Sequence, residues 1–496
     1  MTESMRRLRQ LEKELYAYNY AIALIDVDEA TVAPTESGEG RGEALGVLAG
    51  EVSRRLAAPE LPALLDAVDA EGPDAQMAAE VRELRRQNSL YARLPAGEYA
   101  AAKRLFTDSR TAWAKARSAN DFASFAPWLK QCVETRRRWA ACFAPEKDPY
   151  EVWLDQFQPG LTVARADAFF AALRGAIVPL LQEIRRRGKA PRTDFLAGTW
   201  PLAQQKALSA CIMEVLGLTR DHCVLGETEH PFTQQLYDGD VRITTHYYEE
   251  DMVSNLYSVI HECGHALYER NISPALRYTV LAEGNCNGIH ESQSRLFENY
   301  VGRSRAFLAF LWPRLQELFP GQLRGVTEED FYRAVNRVQP SLIRTEADEL
   351  TYALHIMVRY ELEKRLLAGT LDVNDLPAEW NRLYREYLGV GVPDDARGVL
   401  QDVHWSTGDF GYFPGYALGT AYAAQMVQAM RAQFDFDACC RSGDLRPIQE
   451  YLAGHIWQYG KALTPDELIQ KACGGPFDPG VFIRYLQEKY RAIYAL

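Results

Sequence analysis

The chain has 496 residues, a formal net charge of −12 and 47% hydrophobic residues, enough apolar material for a large core built as two lobes. The acidic balance excludes a protein that binds nucleic acid through a basic surface. No apolar run reaches the roughly 18 residues that span a bilayer, and the charged stretch Leu8–Glu14 lies where a signal peptide would have its apolar core.

Helical periodicity starts at once. Arg6–Leu24 carries Leu8, Leu11, Leu15, Tyr18 and Ile22 at the three-to-four spacing of a helix with one buried face. Pro34 and Thr35-Glu36-Ser37-Gly38 break the pattern. Further helices are expected around Gly42–Leu56, Asp74–Tyr91, Gly97–Asn120, Ser124–Phe143, Val163–Gly188 and Pro201–Val215, with a break at Ala144–Pro149. Pro179 should kink or split the Val163–Gly188 stretch. Turn-rich Pro191–Gly198 is the best junction between an N-terminal helical lobe, 1–195, and a catalytic lobe, 196–496. Strand signals are few. Asp240–Tyr248 is dense in β-branched and aromatic residues and follows the Asp238-Gly239 turn signal, and a weaker strand lies near Cys223-Val224-Leu225. The expectation is a mainly α protein with one small antiparallel β-sheet. Nine cysteines, none at zinc-ribbon spacing, read as reduced thiols of a cytoplasmic protein.

The chemistry concentrates in Tyr257–Asn271, which reads as a helix beside that sheet. It contains His261-Glu262-Cys263-Gly264-His265. Residues four apart lie on one face, one turn apart, so both imidazoles can reach one tetrahedral zinc. Glu262, rotated by about 100°, stands beside the metal without binding it, the place for a general base acting on a metal-bound water. Val259-Ile260 and Ala266-Leu267 make the helix a buried one. Gly264, costing about 1 kcal/mol relative to Ala in a helix, implies close approach by another element. A catalytic zinc needs a third protein ligand. Glu283 and Glu291 compete, 18 and 26 residues after His265. Glu291 is favoured because it heads a clean helical stretch, Glu291–Glu298. His290 beside it is either a donor to a metal ligand or polar filler.

Six short patterns then fall in order between residues 230 and 405: His230-Pro231-Phe232, Asp240-x-Arg242-x-Thr244, the His261–His265 helix, His290-Glu291-Ser292-Gln293, Ile343-Arg344-x-x-Ala347-Asp348, and Gly398-x-x-Gln401-Asp402-x-His404-Trp405. Together they resemble the carboxypeptidase Taq family of metallocarboxypeptidases. Thr31-x-x-Pro34 and Gly411–Tyr416 extend the likeness toward the ends. The resemblance implies Glu291 as third ligand to zinc, with cobalt as the other candidate metal. It implies an elongated helical subunit with a deep central groove, usually a homodimer, that releases single residues from peptide C-termini with broad preference. One departure stands out: Val27 precedes Asp28 where the family commonly has Trp.

A carboxypeptidase must also grip a free carboxylate, which arginine does best. Arg344 and Arg242 are the candidates, the alternative for Arg344 being an internal salt bridge, for example with Asp348. A donor to the developing oxyanion would add about 3–4 kcal/mol. Tyr416 is the first choice and His404 the second, in a segment that resembles the His/Gly-Tyr stretch of related zinc oligopeptidases; Tyr412 is a further groove candidate. Gly411 and Gly415 suggest a mobile loop there. His230 and Phe232 either line the groove or only shape it. Two other functions compete: an endo-acting oligopeptidase with the same site, and a peptide-binding scaffold that has lost catalysis.

Overall fold

The computed structural model describes residues 1–95 and 97–496, with every side chain among them but that of Thr35. The first half is helical throughout: α1 (Glu3–Thr31), α2 (Gly38–Leu56), α3 (Leu61–Ala70), α4 (Ala75–Ala92), α5 (Glu98–Ala119), α6 (Phe122–Phe143), α7 (Pro149–Phe157), α8 (Val163–Arg187) and α9 (Leu202–Val215). Three short strands follow, β1 (Cys223–Glu227), β2 (Thr233–Tyr237) and β3 (Asp240–Thr245). Then come α10 (Met252–Arg270), α11 (Asn287–Arg295), α12 (Arg305–Leu318), α13 (Glu328–Val335), α14 (Glu349–Ala368), α15 (Leu376–Leu383), α16 (Pro414–Arg431) and, at the C-terminal end, α17 (Phe436–Ser442), α18 (Arg446–His455), α19 (Pro465–Cys473) and α20 (Pro479–Tyr494).

The helices expected from periodicity form, most within a few residues of their expected ends, though α1 runs seven residues past Leu24 and α10 starts five before Tyr257. Pro179 does not split α8, which runs unbroken through it. Its face of Phe169, Phe170, Leu173, Ile177, Leu180, Leu181 and Ile184 is buried. That continuous apolar contact outweighs the roughly 3 kcal/mol a mid-helix proline costs.

The small sheet is mixed rather than antiparallel. Its order is β1-β3-β2, with β2 and β3 antiparallel across the Asp238-Gly239 turn and β1 parallel to β3 in the register Cys223↔Val241. The chain leaves β1 at one edge, passes through His230-Pro231-Phe232, and enters β2 at the other, so the hairpin return places β3 in the middle. The short β2, Thr-Gln-Gln-Leu-Tyr, was missed in the sequence because its polar residues hide the alternation.

One large core runs from Ala79 to Tyr494, and a smaller one, including Leu8, Leu15, Leu56, Leu65 and Leu84, joins α1 to α4. α10 starts on Asp251, whose carboxylate accepts from the Ser254 backbone N–H, and buries Leu256, Val259, Ile260, Cys263, Ala266 and Leu267. α14 is buried on nearly all its faces. Its interior polar residues, Thr351, His355, Arg359 and Glu363, recur every four positions and so form one stripe along the helix.

Candidate metal centre

The centre is made where α10, α11 and α16 pack together. The approach depends on absent side chains. A Cβ at Gly264 would lie 2.7 Å from both the Gln293 carbonyl oxygen and Ser294 Cα, and a Cβ at Gly419 of α16 would lie 2.7 Å from Glu291 Cβ. With α11 pressed between these glycines, the Glu291 carboxylate turns toward the imidazoles of α10. Glu291 Oε2 lies 3.8 Å from His261 Nε2 and 3.6 Å from His265 Nε2. The three ligand atoms all fall within 4.8 Å of one another. Ligand atoms at a tetrahedral ion with bonds near 2.0–2.1 Å stand about 3.4 Å apart, so this set fits a small divalent cation. The rival Glu283 points elsewhere, its carboxylate 2.5 Å from Lys461 Nζ.

Each imidazole has its second nitrogen committed. His261 Nδ1 lies 2.9 Å from Glu298 Oε2. His265 Nδ1 lies 2.6 Å from His290 Nδ1, and His290 Nε2 lies 2.6 Å from Glu269 Oε1. These contacts leave both Nε2 lone pairs facing Glu291, the tautomer a metal requires. His290 is therefore a partner of a candidate ligand and not filler. Arg295 donates to Glu291 Oε1 at 2.7 Å and to Glu298 Oε2 at 2.8 Å, fixing both acids from one guanidinium. Burial alone would raise the Glu291 carboxyl; Arg295 and the imidazoles outweigh it and hold it well below its usual range.

Glu262 stands beside this set without joining it. It is 6% exposed, and its Oε2 accepts from Thr233 Oγ1 of β2 at 2.6 Å. Burial raises its carboxyl, against the pull of His261 and the Thr233 hydroxyl.

A second cluster gathers nearby. The His404, Tyr412 and Tyr416 rings approach with centroids 5.2 Å (His404–Tyr412), 6.4 Å (His404–Tyr416) and 5.5 Å (Tyr412–Tyr416) apart. The Arg344 guanidinium lies 5.0 Å over Tyr416. Arg344 is ion-paired internally, but with Asp402 (Nε–Oδ1 3.0 Å), while Asp348 instead caps α14. Arg359 holds the other Asp402 oxygen at 2.7 Å from its Nε. Burial pushes His404 down to about 4, so its ring is neutral at pH 7, and its buried Nδ1 has no protein partner. The two glycines of this segment sit in close contacts. A Cβ at Gly411, which sits at φ +87°, would strike the Trp153 backbone carbonyl carbon at 2.6 Å, and Gly415 packs inside α16 against Asn287.

Two candidates lie apart from both clusters. Arg242 points to the opposite face of the sheet from buried Val241 and Ile243, and its guanidinium is paired with Asp240. His230 is exposed in the loop before β2.

The model of the carboxypeptidase Taq (M32) metallopeptidase family matches residues 7–490. The chain belongs to that family. Carboxypeptidase 1 of Bacillus subtilis is 40% identical over 491 residues, covering 98% of each chain. Thermostable carboxypeptidase 1 of Thermus thermophilus is 36% identical, covering 95% of each. The crystal structure of an M32 carboxypeptidase from Deinococcus radiodurans superimposes with a TM-score of 0.96 at 37% identity, covering 100% of both chains. Membership makes the chain a metallocarboxypeptidase and implies a divalent metal. Val27, where the carboxypeptidase Taq pattern commonly has Trp, is buried in α1. No helix among the described residues is long and apolar enough to cross a membrane.

Four residues that support this candidate site had escaped notice in the sequence. Glu298 follows Glu291 by two helical turns and Glu269 follows His265 by one, so helical spacing alone carried a signal for each. Arg295 sits between the two acids by the same logic. Thr233 had none, because only the β2–β3 pairing carries it to Glu262.

Proposed function

We propose that the chain is a zinc carboxypeptidase that releases single residues from peptide C-termini with broad preference. His261, His265 and Glu291 are the ligands. The observation that carries the reading is their convergence, with Glu262 buried beside them and bound to Thr233 instead. When bound there, the ion supplies a Lewis acid and lowers the pKa of a coordinated water toward neutrality. Glu262 takes a proton from the attacking water and returns it to the leaving amine.

Arg344 receives the terminal carboxylate. Asp402 and Tyr352 fix its guanidinium and leave one hydrogen on each Nη for a bidentate grip. Arg242, on the other face of the sheet, is less suited. Tyr416 donates to the developing oxyanion: burial keeps its phenol protonated far above neutral pH. His404 and Tyr412 stand beside it as further donors and groove wall.

The test is a C-terminal ladder assay on one peptide and its C-terminal amide, with elemental analysis of the enzyme. One zinc per chain, stepwise loss of single residues from the acid and no cleavage of the amide are expected. Glu262→Gln should keep the metal and lose turnover by at least a thousandfold. Cleavage of the amide would favour an endo-acting oligopeptidase, and full activity in Glu262→Gln would remove the proposed base.

A further inference from the structure

Glu363 lies on the polar stripe of α14 and is fully buried. It touches none of the candidate metal ligands. Its carboxylate accepts three hydrogen bonds: Trp405 Nε1–H donates to Oε1 at 2.7 Å, and the Tyr150 hydroxyl and the Gly411 backbone N–H donate to Oε2 at 2.8 and 3.0 Å. Two of these donors come from the two ends of one loop. Trp405 directly follows His404, and Gly411 directly precedes Tyr412. The loop between them therefore begins and ends on a single carboxylate.

Geometry elsewhere makes this hold stringent. Gly411 is wedged against Trp153 with no space for a side chain, and Arg136, stacked on the Trp153 ring, donates from its Nε to the Gly408 carbonyl at 2.7 Å. Burial pushes the Glu363 carboxyl up to about 7, with the Gly411, Trp405 and Tyr150 bonds pulling it back. A buried acid this costly to fold, when an apolar residue would fill the space, calls for a reason.

We propose that Glu363 is a positioning residue for hydrolysis, clasping both ends of the 405–411 loop so that His404 and Tyr412 hold their places beside Tyr416 and Arg344. The inference rests on the reading that this aromatic cluster faces the reacting peptide. Glutamine is nearly isosteric but presents an NH₂ group where a carboxylate oxygen accepts. In Glu363→Gln at least one of the Trp405 and Gly411 donors meets a donor, and one end of the loop is released.

The test compares steady-state kinetics of the full-length metal-loaded enzyme. Glu363→Gln is expected to lower kcat ten- to hundredfold with KM within twofold of the parent and metal content unchanged. Trp405→Phe removes one clasp bond and keeps the ring packing; it should lower kcat about threefold, and it serves should Glu363→Gln not fold. In a cycle with His404→Gln, the double variant is expected to be slower than His404→Gln alone by much less than the full Glu363→Gln factor, because the two changes share one positioned group, His404, and differ only by Tyr412. A parent-like kcat in Glu363→Gln and Trp405→Phe, or losses that multiply in the double variant, would overturn the positioning role. If instead His404→Gln and Tyr416→Phe each keep the parent kcat, the reading of the aromatic cluster fails, and the inference fails with it.

Discussion

Gly264 offers the sharpest separation of stability from function. Gly264→Ala puts a methyl 2.7 Å from the Gln293 carbonyl oxygen and Ser294 Cα, while ordinary contacts begin at 3.4 Å. Both atoms are backbone, so α11 has to retreat from α10 by about 0.7 Å, taking Glu291 away from the imidazoles. Overpacking of this kind costs about 1–3 kcal/mol. Alanine returns about 1 kcal/mol of helix propensity. The net loss of stability is then only about 0–2 kcal/mol, a few degrees or less in a chain of this size. The metal is affected more, because its third ligand is displaced by a large fraction of the tolerance of such a site. Zinc affinity measured by competition with a chromophoric chelator should fall at least tenfold, and activity at limiting zinc should fall with it. Gly46→Ala is the matched control: it lies in α2, a Cβ there meets nothing within 4 Å, and it should stabilise slightly and leave zinc affinity alone. Parent-like zinc affinity in Gly264→Ala would refute the claim that the close approach of α10 and α11 sets the ligand geometry.

Glu298→Gln keeps the shape of the group that orients His261 but removes its charge; zinc affinity should drop ten- to a hundredfold by chelator competition, with the chain still folded by circular dichroism. Glu12, 1% exposed in the small α1–α4 core, has its carboxyl raised to about 7 by burial and by the Glu80 charge, against the pull of Arg9. An acid raised on folding stabilises below its unfolded pKa and loses that contribution as pH rises to its folded value, so denaturant stability should fall by up to about 3 kcal/mol between pH 4.5 and pH 7. Glu12→Gln should flatten that part of the profile, and an unchanged slope would count against it.

What was legible in the sequence was whatever is written in short periods. His261 and His265 share a face because four residues make about one turn, and that relation needs no tertiary information. Gly264 was legible as a contact because a mid-helix glycine is costly, although its partner was not. Helix α8 misled in the other direction. Pro179 is a local signal against continuity, and only the burial of seven large apolar residues, a tertiary fact, overrides it. The arrangement of the sheet was illegible for a similar reason. A strand such as β2, with two glutamines in five residues, takes its place from pairing with β3 and from the Thr233 contact with Glu262, neither of which leaves a periodic trace. Arg344 shows the intermediate case. Its need for an internal anion was foreseeable, but helical spacing pointed to Asp348, four residues on. Helix α14 begins only after both, at Glu349, which makes Asp348 its N-cap and leaves the arginine to Asp402, 58 residues away.

The electrostatics of the centre argue for a divalent ion independently of the ligand distances. Glu262, Glu269, Glu291 and Glu298 are all under 9% exposed and surround the paired imidazoles, Glu269 through His290. The cations bound to these acids are Arg295 and Arg303, the latter donating to Glu298 Oε1 at 3.2 Å. Four carboxylates against two guanidiniums leave an excess of acid in a buried volume, which the upward shift of His261 beside Glu291 and Glu298 offsets only in part. Uncompensated charge of that size is too costly to keep. One partial escape is visible in the raised carboxyl of Glu262. His261, His265 and Glu291 would hold a divalent cation there, which would offset the remaining charge and favour the ionised form of Glu262. Filling the site would then shift Glu262 toward its basic form, coupling metal binding to the proposed role of this acid.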